Sequence, residues 1–282
     1  MTALKLEHVT KKYKGFTLED ISLELPKGCI MGLIGENGAG KSTTMKLILD
    51  IVKADSGDIT VLGQKHIENL KSVKEKIGVV LDEAYFPGCF TVRNLKAMLK
   101  KFYVNWDDGT FDHYITVFAL PKDKKFKDFS RGMKMKLSIA VALSHQAKLL
   151  ILDEPTSGLD PIARDEFVDI IYEFTRDEDN SVLISSHIVS DLEKLCDYIA
   201  FIHQGRLLFC EEKDLLLDSY GLWQGSREEF TALDPKSVHG VRQSPYGIEA
   251  LVERDKAPVN LKLTRPGIED VIVFIAKEEK SI

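Results

Sequence analysis

The sequence has no apolar run of the ~18 residues that a bilayer-spanning helix needs. Nor does it open on a basic stretch followed by an apolar core, the mark of a secretory leader. The chain is therefore expected to be made and kept in the cytosol. Cysteine is scarce. Cys29, Cys89, Cys196 and Cys210 are scattered, with no close pair at metal-ligand spacing, so they read as reduced thiols. Positive charge does not dominate. Lys and Arg number 38 against 44 Asp and Glu, and the net charge of −6 argues against a generic nucleic-acid binder. Internal repeats and low-complexity linkers are missing too.

What is present is a chain of 282 residues, 44% of them hydrophobic, enough for one large domain or one domain with an appendage. ALKLEHV and ISLEL alternate as strands do. CIMGLI, residues 29–34, is apolar on both faces, as a buried central strand would be. STTMKLILDIV reads as a helix, DSGDITVLG as a turn with a short strand, and KIGVVL as another buried strand. From residue 91 to about 145 the texture is helical, with Thr91 suited to cap TVRNLKAMLKKF; FDHYITVFAL and MKMKLSIAVALS carry two further apolar stripes. Strand texture returns in KLLILDEP, in SVLISSH and in the hairpin-like YIAFIHQGRLLFC. A strand-rich α/β core with a helical insertion is expected over residues 1–217, and a less readable extension over 218–282.

The stretch GENGAGKST fits G-x-x-x-x-G-K-[ST] at Gly35, Gly40, Lys41 and Ser42. Glycines let backbone N–H groups turn inward around phosphate oxygens, and the helix that follows aims its positive end at the same anion. Asn37, Gly38, Ala39 and Thr43 complete that loop. Lys41 is expected on the β and γ phosphates and the Ser42 hydroxyl on Mg²⁺. The loop alone does not separate a kinase from a switch GTPase or a mechanical ATPase.

LLILDEP ends a strand on Asp153 and Glu154. A carboxylate there can hold Mg²⁺ through water, facing the phosphate loop from an adjacent strand, which suits Asp153. Glu154 is then suited to accept a proton from the attacking water. His187 ends SVLISSH. A lone histidine is more often structural, but at a strand end it can hydrogen-bond the γ phosphate or the attacking water.

FSRGMKMKLSIA follows the helical stripes, Ser130 lies 23 residues before Asp153, and SGLD follows the acidic pair. Phosphate loop, serine–glycine signature, LLILDEPTSGLD and strand-end histidine, in that order, resemble the nucleotide-binding subunit of an ABC transporter, over about residues 4–210. The resemblance implies a P-loop NTPase RecA-like core with an antiparallel β subdomain and a helical subdomain at about 91–145, with a small C-terminal appendage. It implies ATP and Mg²⁺, and head-to-tail pairing of two subunits, a homodimer or a pair with a paralogue. Ser130 and Gly132 would reach the partner's ATP, Asp160 would lie at that interface, and Tyr13 would stack on adenine. It also implies a separate membrane permease, which would hold the chain at the inner face of the membrane.

Two positions depart from the family pattern. FSRGM stands for the usual LSGGQ, so Arg131 and Met133 replace a glycine and a glutamine. The charge of Arg131 either strengthens or reshapes the contact in trans. Asp82 stands about where the family has a glutamine that touches Mg²⁺, with Glu83 beside it as the alternative ligand. This combination resembles ATPases of type-2 exporters, the drug-resistance and cell-envelope kind. Tyr85, Phe86 and Phe90 are candidates to line a groove for a permease helix, or to pack in the core. A soluble ABC-type ATPase acting on ribosome or DNA is the alternative function. No coiled-coil insertion and no second cassette support it, and a small-molecule kinase would leave the signature unexplained. In the tail, VHGVRQSPYGIEALVE suggests a small sheet and RPGIEDVIVFIAKE a helix after a proline.

Overall fold

The structure is a computed structural model that describes residues 1–65, 70–82, 86–245, 247–258 and 260–279. The chain begins with strands β1 (Thr2–Tyr13) and β2 (Phe16–Pro26) and passes through β3 (Ile30–Ile34) into helix α1 (Lys41–Ile48). β4 (Ser56–Val61), β5 (Gln64–Lys65), α2 (Leu70–Lys74) and β6 (Ile77–Val80) follow. Three helices come next: α3 (Val92–Phe102), α4 (Asp108–Val117) and α5 (Arg131–Leu143). β7 (Leu149–Asp153), α6 (Pro161–Phe174), β8 (Ser181–Ser186), α7 (Val189–Leu195), β9 (Tyr198–His203) and β10 (Arg206–Glu212) complete the main body. The extension holds α8 (Lys213–Ser219), β11 (Tyr220–Gly225), α9 (Arg227–Thr231), β12 (Val238–Ser244), β13 (Gly247–Glu253) and α10 (Ile268–Glu279).

Among the described residues the strands form three sheets, in the orders β2-β1-β4-β5, β10-β9-β3-β8-β7-β6 and β11-β13-β12. The first and third are antiparallel. In the second, β3, β6, β7, β8 and β9 run parallel and only β10 is antiparallel, on the edge. The β9–β10 hairpin turns on Gln204 and Gly205, both at positive φ, the two-residue turn that matches strand twist.

The central strands are apolar throughout because both faces are covered. Side chains alternate across the sheet. Ile30, Ile34, Leu150, Leu152, Val182 and Ile184 face one core, shared with α5, α6 and α7. Met31, Leu33, Leu149, Ile151 and Leu183 face the other, shared with α1 and the first antiparallel sheet. Gly78 lets α5 lie close on β6: a Cβ there would meet Leu150 Cδ2 at 2.4 Å and the Ala142 carbonyl oxygen at 2.7 Å.

The helical insertion is anchored by Phe111, fully buried, and opens on a capping box. The Thr91 hydroxyl accepts from the Asn94 N–H at 3.3 Å, and Asn94 Oδ1 accepts from the Thr91 N–H at 3.1 Å. Phe86 and Phe90 pack against the main core, Phe86 edge-on to Phe126 at 5.5 Å, while Tyr85 and Glu83 lie outside the described residues.

α1 ends earlier than its apolar pattern suggests, at Ile48, and Asp50 takes a left-handed conformation just beyond. The tail holds one strand more than its sequence indicates, β11, whose glycines interrupt the alternation. α8 spans the expected boundary between residues 217 and 218. α10 buries Ile268, Val271, Ile272 and Phe274 in the main core, with Leu192 and Leu195 of α7 and Leu251 of β13. The tail is thus bound to the body by continuous apolar packing. All four cysteines are free; burial pushes the Cys196 thiol up and Cys210 to about 11, so neither is a ready nucleophile.

Candidate nucleotide site

Parallel pairing sets the site. Ile34 pairs with Ser186, and Ser185 pairs with Asp153. The residues that follow these strands, from Gly35, Glu154 and His187 onward, therefore emerge at one edge of the sheet, where open α/β sheets bind ligands. The sequence expectation of adjacent strands needs one correction. β8 lies between β3 and β7, so the carboxylates reach the phosphate loop across a strand. The reason is that β8, not β7, pairs directly with β3.

The loop after β3 is built for close approach. Gly38 and Gly40 have φ of 85° and 122°, which other residues rarely adopt. A Cβ on Gly35 would lie 2.5 Å from the Ile202 carbonyl oxygen, so the loop is pressed against β9. Ala39 is buried, and its carbonyl accepts from the Gly205 N–H at 3.0 Å. Lys41 begins α1 and is buried; its Nζ donates to the Gly35 carbonyl at 2.7 Å and stands 3.6 Å from Glu154 Oε1.

Glu154 is held at φ 52°, in the left-handed region, a strained state for a residue with a side chain. Its N–H donates to Ser185 Oγ at 3.0 Å, and the Ser185 hydroxyl donates to Asp153 Oδ1 at 2.6 Å. Asp153 is buried. Glu154 Oε2 lies 2.6 Å from His187 Nδ1 and accepts from the His187 N–H at 3.3 Å. Ser185 escaped the sequence reading; its position at the serine-bearing end of β8, two residues before His187, was its only signal.

A cleft of about 590 Å³ opens over this edge. Of the residues expected at the site, it brings together Asn37, Gly38, Gly40, Lys41, Ser42, Thr43, Asp82, Glu154 and His187. Phe16, Glu36, Arg131 and Ser157 join them. Tyr13 does not line it: the residue is 43% exposed, opposite Phe16 across the β1–β2 turn, with Lys11 Nζ 5.8 Å from the ring centre. Ser130 and Asp160 lie elsewhere, each capping a helix. Ser130 Oγ accepts from the Met133 N–H at 3.2 Å, and Asp160 Oδ1 from the Ala163 N–H at 2.9 Å. That bond to Ala163 holds the Asp160 carboxyl below its usual range. Gly132, in the first turn of α5, is also outside the cleft lining.

The chain matches the family described as ABC transporter over residues 18–157. It is 35% identical over 255 residues to the bacitracin transport ATP-binding protein of Enterococcus faecalis, covering 89% of this chain and 82% of that protein. The chain belongs to the ABC transporter ATP-binding family. It is also 38% identical over 215 residues to a lantibiotic transport ATP-binding protein of Streptococcus pyogenes, covering 75% of this chain and 91% of that one. A solved structure described as the ATP-binding subunit of an ABC transporter superposes with a TM-score of 0.71 at 25% identity, over 77% of this chain and 92% of that chain. A dimeric bacterial ABC transporter cassette shares the fold, with a TM-score of 0.67 at 21% identity, over 74% of this chain and 98% of that chain. This ABC subunit binds ATP, and its ATPase activity powers transport. Among the described residues no helix is long and apolar enough to cross a membrane.

The donor chemistry near the phosphate loop suits Mg²⁺. Ser42, Asp153 and Asp82 offer oxygens only, which a hard cation prefers. Among the described residues there is no cluster of three His, Cys, Asp or Glu that could hold a metal.

Proposed function

We propose that the chain is an exporter ATPase that works as a homodimer, with two ATP molecules held between two copies. The observation that carries this reading is the line Lys41–Glu154–His187, with separations of 3.6 Å and 2.6 Å, beside the phosphate loop. Lys41 takes the β and γ phosphates, and the N–H groups from Asn37 to Thr43 close around them. Ser42 and Asp153 would hold Mg²⁺, with Asp82 as a further oxygen donor. The ion neutralises phosphate charge when bound. Glu154 accepts the proton of the attacking water, and His187 fixes the direction of that carboxylate. Tyr13 and Phe16 flank the base at the β1–β2 turn.

Ser130, Gly132 and Asp160 belong to the face that meets the second copy. Ser130 and Asp160 are both exposed, at the N-terminal ends of α5 and α6. The start of α5 is the helix end offered to an anion supplied by another chain, while the Asp160 carboxylate itself caps α6. The pore is a separate permease, which keeps the subunit at the inner face of the membrane. Relatives are named for bacitracin and lantibiotic transport, and export of compounds of that kind is the favoured work.

The test is purification of the Glu154→Gln chain from detergent-solubilised membranes of its source cells with ATP present. A co-purified multi-span membrane protein is expected. Recovery of only soluble partners, ribosomes or DNA would overturn the transport reading.

A further inference from the structure

Arg131 and Asp82, 49 residues apart in the chain, meet at the cleft. Arg131 Nη2 lies 2.5 Å from Asp82 Oδ1 and donates to Ser157 Oγ at 3.1 Å. One guanidinium thus joins three segments: the turn after β6, the loop after β7 and the first residue of α5. Its stem has a prepared path. It crosses Gly158, where φ is +79° and a Cβ would lie 3.2 Å from Arg131 Cδ. Ser130 caps α5 and Gly132 follows Arg131, so this contact sets where both stand relative to the chain's own cleft.

Both members of the pair have stronger partners available in ATP with Mg²⁺. A guanidinium binds phosphate oxygens in a fork that a single carboxylate oxygen does not fill. A divalent cation is a stronger partner for an aspartate than an exposed arginine. We propose that the Arg131–Asp82 pair is a latch within one chain. It holds the start of α5 on that chain's own cleft, and the ATP-bound dimer forms only by exchanging it. Arg131 then turns to the phosphate presented by the second copy, and Asp82 is released toward the metal. While latched, Arg131 acts by positioning Ser130 and Gly132. This rests on the ATP-driven dimer proposed above. The two side chains are 56% and 50% exposed, so the latch is weak and shifts the dimer equilibrium without blocking it.

The test is a double-mutant cycle in the Glu154→Gln chain, with Asp82→Asn, Arg131→Gln and both together. For each form, ATP affinity is measured at a dilution that keeps it monomeric. The ATP concentration that gives half-maximal dimer is measured by light scattering with Mg²⁺. Thermal midpoints without nucleotide report folding separately. Asp82→Asn alone is ambiguous, because it removes a metal donor as well as the latch. The coupling is not. Arg131→Gln should raise the half-maximal ATP concentration about two- to five-fold more with Asn at position 82 than with Asp, the scale of one exposed charge pair. Equal effects in the two backgrounds, or a smaller effect with Asn, would overturn the latch while leaving the ATP site intact. Failure of the Glu154→Gln parent, with Asp82 and Arg131 both present, to bind ATP would instead overturn the function, and the latch with it.

Discussion

Glu154 is shared between two positive or proton-bearing neighbours: Oε2 is 2.6 Å from His187 Nδ1, and Oε1 is 3.6 Å from Lys41 Nζ. A carboxylate so fixed is aimed before any substrate arrives. Glu154→Gln keeps the shape and removes the base. It should retain ATP binding and lower turnover by about 10²–10⁴-fold, the usual contribution of a positioned base. His187→Ala should lower turnover by less, with ATP affinity retained, because it frees the carboxylate without deleting it. Parallel phosphate-release and nucleotide-binding assays check both.

Lys41→Ala should act on binding instead. The Lys41 ammonium is buried against the Gly35 carbonyl at 2.7 Å, so its charge is already directed by the loop. Loss of charge-assisted bonds to phosphate should weaken ATP by about ten- to a hundred-fold. Equilibrium titration with a fluorescent ATP analogue reads this directly. Unchanged affinity would remove Lys41 from the phosphate site.

Tyr13 and Phe16 face each other across the β1–β2 turn, one exposed and one on the cleft wall. Stacking on a base contributes about 1–3 kcal/mol by alanine substitution. Tyr13→Ala should therefore weaken ATP and ADP alike by about five-fold or more, and leave binding of triphosphate without a base unchanged. Phe16→Ala tests the neighbouring wall in the same titration.

His145 gives the chain an acid limb. Burial lowers its pKa, and its ring stacks on Tyr103 at 4.1 Å between centres, with Nδ1 3.2 Å from the Glu75 carbonyl oxygen. Nε2 has no hydrogen-bond partner. The folded state therefore resists a proton that the unfolded chain accepts near the ordinary value of about 6.5. Stability should be full above that value and fall as pH drops through it. Asp107, held low chiefly by the Thr110 hydroxyl, and Asp160, held low by the Ala163 N–H, lose their contributions only below about pH 4. Denaturant melts of His145→Phe between pH 7 and 5 should show a flatter dependence than the parent.

The parts legible in the sequence were those where chemistry fixes spacing. Gly35, Gly40 and Lys41 must be contiguous with strand and helix, so their pattern survives as text. The buried strands were legible because covering both faces demands unbroken apolar runs. The tail hairpin and α10 were legible from alternation and from the proline before the helix. β11 was not, because Gly221 and Gly225 break its alternation and its pairing with β13 is distant. Phe16 was missed because an aromatic at a hairpin reads as surface until Gly40 is seen beneath it, where a Cβ would lie 3.2 Å from the ring. Arg131 and Asp82 each read as a departure from a pattern; only the fold shows that they answer each other.

The decisive measurement is the mass of the purified Glu154→Gln chain in solution, by light scattering, without nucleotide and with saturating ATP and Mg²⁺. A shift from monomer to twice the chain mass with ATP, reversed by ADP, is predicted. A chain that binds ATP and remains monomeric at every concentration would contradict the ATP-driven homodimer.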